Sequence, residues 1–116
     1  RKLTIASFIL KELKKQLMTT SHGWRIARMI FERERRPFQA AIGIPRGGVE
    51  LGRWLNKYST QNQEHPYLIV DDVLTTGGSM DEYREEHFNG KDSFGWVVFA
   101  RKQPQPWVKA LFQMPN

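Results

Sequence analysis

Apolar residues at Ile5, Phe8, Ile9, Leu13 and Leu17 recur at helical spacing, with Lys11, Lys14 and Lys15 falling mostly on the opposite side. That periodicity predicts an amphipathic helix. Thr20 or Ser21 is suited to cap a second helix carrying Trp24, Ala27, Ile30 and Phe31, and an arginine-rich run ends it before Pro37. Phe38 to Ile44 is a short apolar run closed by Pro45-Arg46-Gly47-Gly48, after which Val49 to Tyr58 returns to helical spacing. The unit then repeats. Tyr67 to Asp71 reads as a buried strand, Thr75 to Ser79 as a glycine turn, and Met80 to Phe88 as a polar helix stopped by Asn89-Gly90. Phe94 to Ala100 is a further strong strand, and the proline-bearing tail leaves room for a short edge strand from Trp107 to Phe112.

Uninterrupted apolar strands alternating with helices predict an α/β fold: a parallel sheet covered on both faces and joined by right-handed crossovers. Ligands of such sheets bind at the carboxyl ends of the strands, where both glycine turns fall.

The chain has 116 residues, 40% hydrophobic and 26% charged, which suits one domain over 1–116 with one core. It divides into a basic helical segment (1–36), an α/β core (38–100) and a tail (101–116). The stretch most like a hydrophobic span, Tyr67 to Val73, contains two aspartates and is far shorter than the ~20 residues of a bilayer crossing. With no cysteine, thiol nucleophiles, disulfides and zinc-cysteine sites are excluded. With no secretory signal pattern either, the expected location is cytoplasmic. The net charge of +6 is uneven: residues 1–36 hold ten Lys/Arg against three acids, the remainder eight against nine. A basic lobe can attract phosphates or nucleic acid, and it is equally what a solvated helix face looks like.

The chemistry sits in the turns. Two strand-to-helix turns with paired glycines bring backbone N–H groups and helix N-termini to one edge of the sheet, which favours anions. In the second turn Thr75, Thr76 and Ser79 add hydroxyls, Gly77 and Gly78 let the backbone wrap a phosphate, and Ser79 is placed to cap the helix. Just before it stand Asp71 and Asp72. At the end of a buried strand, carboxylates need hydroxyls, cations or water as partners, and a sugar with vicinal hydroxyls supplies them. Gly47-Gly48 taken alone is equally explained by packing. By contrast, the run from Tyr67 to Met80, YLIVDDVLTTGGSM, holds every part in the required order.

That run resembles the 5-phosphoribosyl-1-pyrophosphate (PRPP) signature of the type I phosphoribosyltransferase family. The resemblance implies a Rossmann-like core with a reduced number of strands. It gives the ribose hydroxyls to Asp71 and Asp72, and the 5-phosphate to Val73, Leu74, Thr75, Thr76, Gly77, Gly78 and Ser79. Upstream, AIGIPRGGVELG (Ala41 to Gly52) is similar to the family's pyrophosphate loop, which assigns Pro45, Arg46, Gly47 and Gly48 to pyrophosphate. The implied reaction moves ribose 5-phosphate from PRPP to a nucleobase, purine or orotate, with Mg²⁺ carried by PRPP rather than by a protein cage. The tail from Val97 to Trp107 resembles the purine-using members. It offers Arg101 or Lys102 as a donor to an exocyclic oxygen and Trp107 as a stacking surface, although an exposed charge and a core-covering tryptophan would look the same. A homodimer is the family expectation.

One departure matters. Family members usually insert a strand-loop-strand excursion with a mobile lid before the PRPP strand, whereas this chain has only Ser59 to Pro66 there. Eight residues reach at most about 28 Å, too short for a hairpin lid. A second reading therefore stands beside the enzyme: a regulator sensing PRPP or a nucleotide on the same fold, with the basic lobe on nucleic acid. Only Trp24 and Phe31 interleave there with Arg25, Arg28, Arg33, Arg35 and Arg36. P-loop and dinucleotide-binding spacings are absent. His22, His65 and His87 show no ligand spacing, and Asp81, Glu82, Glu85 and Glu86 read as a solvated helix face.

Overall fold

A computed structural model describes residues 20–75 and 78–114. The element order is α1 (Thr20–Arg33), β1 (Ala40–Gly43), α2 (Val49–Leu55), a single 3-10 turn (Asn56–Tyr58), β2 (Tyr67–Leu74), α3 (Gly78–Phe88), β3 (Ser93–Ala100) and β4 (Val108–Gln113). The helix expected around Ile5 to Leu17 lies outside the described residues. Thr20 and Ser21 fall within α1 rather than ahead of it.

All four strands are parallel, in the order β1-β2-β3-β4. The two inner strands carry the least polar segments because both their faces are covered: every residue of β3 is buried, and β2 exposes no residue fully. Alternation along β2 sends Leu68 and Val70 to one side, with Leu51 and Leu55 of α2 and Ile26 and Ile30 of α1. Ile69 points to the other side, with Met80 and Phe88 of α3 and Val108 of β4. At edge strand β1, the Asn56 side chain completes the ladder, its Oδ1 accepting from the Ala41 N–H and its Nδ2 donating to the Ala41 C=O, both at 2.8 Å. This blunts an otherwise open sheet edge. Past α3, Gly90 takes φ +79°, the left-handed conformation that ends a helix without a side-chain clash.

The connections correct one expectation. Successive strands advance in one direction across the sheet, yet α2 lies on one face while α3 and the link before β4, which carries Trp107, lie on the other. Crossovers that advance the same way on opposite faces have opposite hands. The connection through α2 is thus opposite in hand to the following two, so the right-handed rule does not hold throughout. Ser59 to Pro66 is tied to the amino end of the sheet: Thr60 N–H donates to Phe38 C=O (2.8 Å), Gln61 N–H to Gln39 C=O (3.1 Å), and Gln39 Nε2 to His65 C=O (2.8 Å).

Glu34, following α1, is buried at 7% exposure. Its Oε1 accepts from Trp96 Nε1 and Lys109 Nζ, each at 3.0 Å, and its Oε2 from the Arg36 N–H at 3.3 Å. Burial disfavours the charge, but the Trp96 and Lys109 hydrogen bonds, the Lys109 charge and the Arg36 amide outweigh it and hold the carboxyl below 4.5. A depressed carboxyl pKa contributes stability that is complete above the unfolded-state value and is lost as pH falls through the folded one. Glu34→Gln keeps an acceptor for Trp96 and loses the charge. Denaturant unfolding from pH 7 to pH 3 should therefore show a shallower fall in stability below pH 4.5 for the variant than for the parent.

Candidate functional site

At the carboxyl edge, β1 ends at Gly43 and the chain turns through Ile44 to Gly48 into α2. The turn is bonded at both ends: the Ile44 N–H donates to Val70 C=O (2.9 Å) and the Gly48 N–H to Ile44 C=O (2.8 Å). The Pro45–Arg46 peptide is cis. Arg46 is exposed, and among the described residues its side chain has no hydrogen bond or ion pair. A Cβ on Gly48 would lie 2.5 Å from Val70 O, so only glycine lets the turn sit this close to β2.

β2 runs further than the sequence predicts, to Leu74, so the two acids are within the strand rather than at its end. Asp71 is half-buried and pairs in register with Val97, and its Oδ1 accepts the Asp72 N–H at 2.8 Å. Asp72 is nearly buried, and its carboxylate packs directly against Gly47: a Cβ there would be 2.2 Å from Oδ2 and 2.5 Å from Cγ. Two motifs 25 positions apart are thereby brought into contact.

The residues assigned to the 5-phosphate divide. Leu74 is core, with 2% exposure, and Val73 packs on the core, so both can offer only backbone groups. Thr75 is exposed just past β2, whereas Thr76 and Gly77 lie outside the described residues. Gly78 and Ser79 open α3, which places Ser79 in the first turn and corrects its expected role as the cap. The anion-favouring end of an eleven-residue helix faces this edge.

Of the three base-side residues, two come to the same edge. Arg101 and Lys102 directly follow β3 and are exposed; the Arg101 N–H donates to Leu74 C=O (2.9 Å) and the Lys102 C=O accepts from Gln113 Nε2 (3.2 Å). Trp107 does not. It precedes Val108, which pairs with Gly95 well below the carboxyl end of β3. Its ring lies on Gly95, where a Cβ would be 2.8 Å from Cζ3, and the Arg84 guanidinium stands 4.4 Å over it. The stacking role expected of Trp107 gives way to packing, because its ring is already engaged.

Asp81 lies on the exposed helix face expected of it, but the sequence did not show its partners. Its Oδ1 accepts from both Trp107 Nε1 (2.9 Å) and Gln105 Nε2 (3.0 Å). The usable signal was the indole: a part-buried tryptophan N–H needs an acceptor. Among the described residues no three His, Asp or Glu side chains group as a metal site, and no helix is long and apolar enough to cross a membrane. His65 Nδ1 meets Thr60 Oγ1 at 2.7 Å and the His87 ring lies tilted against Tyr83, both away from this edge.

The fold is similar to that of a Helicobacter pylori xanthine-guanine-hypoxanthine phosphoribosyltransferase, with a TM-score of 0.54 and 13% identity over 84% of this chain and 86% of that one. No family model and no curated protein matches the sequence. The chain has a type I phosphoribosyltransferase-like α/β fold with a reduced number of strands.

Proposed function

We propose that the chain binds PRPP at the carboxyl edge of its sheet and transfers ribose 5-phosphate to a nucleobase, purine or orotate, releasing pyrophosphate. The observation that carries this reading is the seating of the Asp72 carboxylate on Gly47, which joins the ribose-side acids to the pyrophosphate turn. Arg46 and the turn amides would hold pyrophosphate, Asp71 and Asp72 the ribose hydroxyls, and Thr75 to Ser79 with the start of α3 the 5-phosphate. A ring nitrogen of the base attacks ribose C1, the C1–O bond to pyrophosphate breaks, and the ring N–H proton passes to solvent. Catalysis of this kind is positioning and charge stabilisation, with no nucleophilic side chain. Mg²⁺ would arrive on PRPP, since its reluctance to dehydrate suits coordination by phosphate and water oxygens. Arg101 and Lys102 are the base-side candidates. A single domain, a homodimer and a cytoplasmic location belong to the same reading.

A second reading, a PRPP or nucleotide sensor without efficient transfer, is favoured by one observation. Ser59 to Pro66 is bonded to the amino end of the sheet, so it cannot close over the opposite edge, and lids normally exclude water from the reacting centre. Exposed Trp24 and Phe31 on α1, with Arg25 against Trp24, would be its nucleic-acid face.

Calorimetric titration with PRPP and Mg²⁺ decides between them. The parent should bind, and an Asp71→Asn/Asp72→Asn variant should lose at least about tenfold in affinity, since hydrogen bonds to charged groups are worth about 1.5–3 kcal/mol. A pyrophosphate-release screen begins with xanthine, guanine and hypoxanthine, the bases in the name of the similar protein. Release with any base makes this an enzyme, binding without release makes it a sensor, and no binding to folded parent removes both.

A further inference from the structure

α3 opens directly after the turn assigned to the 5-phosphate, and Asp81 stands in its first turn. Met80 and Phe88 of this helix are buried and Tyr83 packs beside them, while the rest of the helix faces outward. Polar contacts also hold it. Asp81 accepts two hydrogen bonds from the β3–β4 connection, through Gln105 and Trp107. One turn along, Arg84 covers the Trp107 ring and donates to Ser93 Oγ (2.9 Å) and C=O (3.1 Å). The same connection begins at the carboxyl edge with Arg101 and Lys102, anchored to Leu74 and Gln113. Residues 101–107 are thus held at one end by the strands and at the other by the helix that follows the phosphate turn.

We infer that Asp81 is the positioning residue that fixes connection 101–107, and with it Arg101 and Lys102, relative to the phosphate turn, and so sets affinity on the base side. The base-side part rests on the reading under Proposed function; the tether itself does not. Asp81 touches no reacting atom. Its work is geometric: both donors converge on one oxygen, so losing that oxygen removes both hydrogen bonds at once.

Hydrogen exchange of amides 101–107 in the parent, Asp81→Ala, Asp81→Asn and Trp107→Phe tests the tether. Exchange should rise about tenfold in Asp81→Ala, the equivalent of two modest hydrogen bonds, while β2 and β3 are unchanged. Asp81→Asn keeps an acceptor oxygen and should stay within about twofold of the parent. Trp107→Phe keeps the ring and loses one donor, so it should fall between them. On the ligand side, PRPP affinity should be equal within about twofold in all four proteins, a difference under 0.5 kcal/mol. The base KM, or without turnover the Kd of the nucleoside monophosphate, should rise about tenfold in Asp81→Ala, by less in Trp107→Phe and within about twofold in Asp81→Asn. Unchanged exchange in Asp81→Ala, an asparagine that fails to rescue, or equal weakening of PRPP and base would overturn the inference. A folded parent that binds no PRPP would overturn the proposed function instead, and the exchange measurement would still decide the tether.

Discussion

Gly43→Ala is expected to be strongly destabilising, since among the glycines whose surroundings are described it has the closest contacts. A Cβ at Gly43 would stand 1.9 Å from Gly48 O, 2.4 Å from Gly48 C and 2.7 Å from Val49 Cα. All three are backbone atoms, and the turn that carries them is bonded at both ends, through Ile44 to Val70 and through Gly48 to Ile44. No rotamer change relieves the contact, so the end of β1 and the start of α2 must move apart. Their packing is already at the limit on the other side, where a Cβ on Gly52 would be 2.6 Å from Gly43 N. A loss on the order of 4 kcal/mol follows, at the upper end of what single substitutions cost. In a domain of this size that lowers Tm by roughly 20 °C. Thermal unfolding by circular dichroism reads it directly, and a shift of only a few degrees would show that turn and strand are less tightly coupled than the distances indicate.

Gly47→Ala should behave in the opposite way, sparing the fold and removing the site. Here the obstructing atoms are the end of a side chain, the Asp72 carboxylate at 2.2–2.6 Å. Rotating one χ1 clears it at a stability cost of about 1 kcal/mol. Turning Asp72 away, however, withdraws the group proposed to hold the ribose, and the added methyl occupies the floor of the pyrophosphate turn. PRPP affinity should therefore fall about a hundredfold, or roughly 2.7 kcal/mol, with Tm within about 6 °C of the parent. Thermal unfolding and calorimetry together separate the cases: Gly43→Ala should lose most of its stability through the Gly48 clash, whereas Gly47→Ala should keep its fold and lose PRPP affinity. Equal binding by Gly47→Ala and parent would mean that Asp72 takes no part.

The division between legible and illegible features follows the range of the interactions. The strand carrying Asp71 and Asp72 and the helix start after it were readable because such a unit is local: strand, acids, hydroxyls, glycines and helix start lie within fourteen consecutive residues. The extension of β2 to Leu74 was not, since two carboxylates inside a strand run against β propensity, and Asp72 is accommodated by the neighbouring turn at Gly47. Glu34 likewise looks like one more charge in an arginine-rich stretch until Trp96 and Lys109, 62 and 75 positions away, close around it.

By itself the sequence determined the class of fold and, among the described residues, the order of strands and helices and where strand turns into helix, because periodicity, glycine placement and helix starts depend on residues close along the chain. Only the tertiary structure decided which face each helix covers, and so the opposite hand of the connection through α2, along with the seating of Asp72 on Gly47, the capture of Trp107 by Asp81 and Arg84, and the tying of Ser59 to Pro66 to the far end of the sheet. Each joins residues distant in the chain, and such contacts follow from how whole elements pack rather than from local preference.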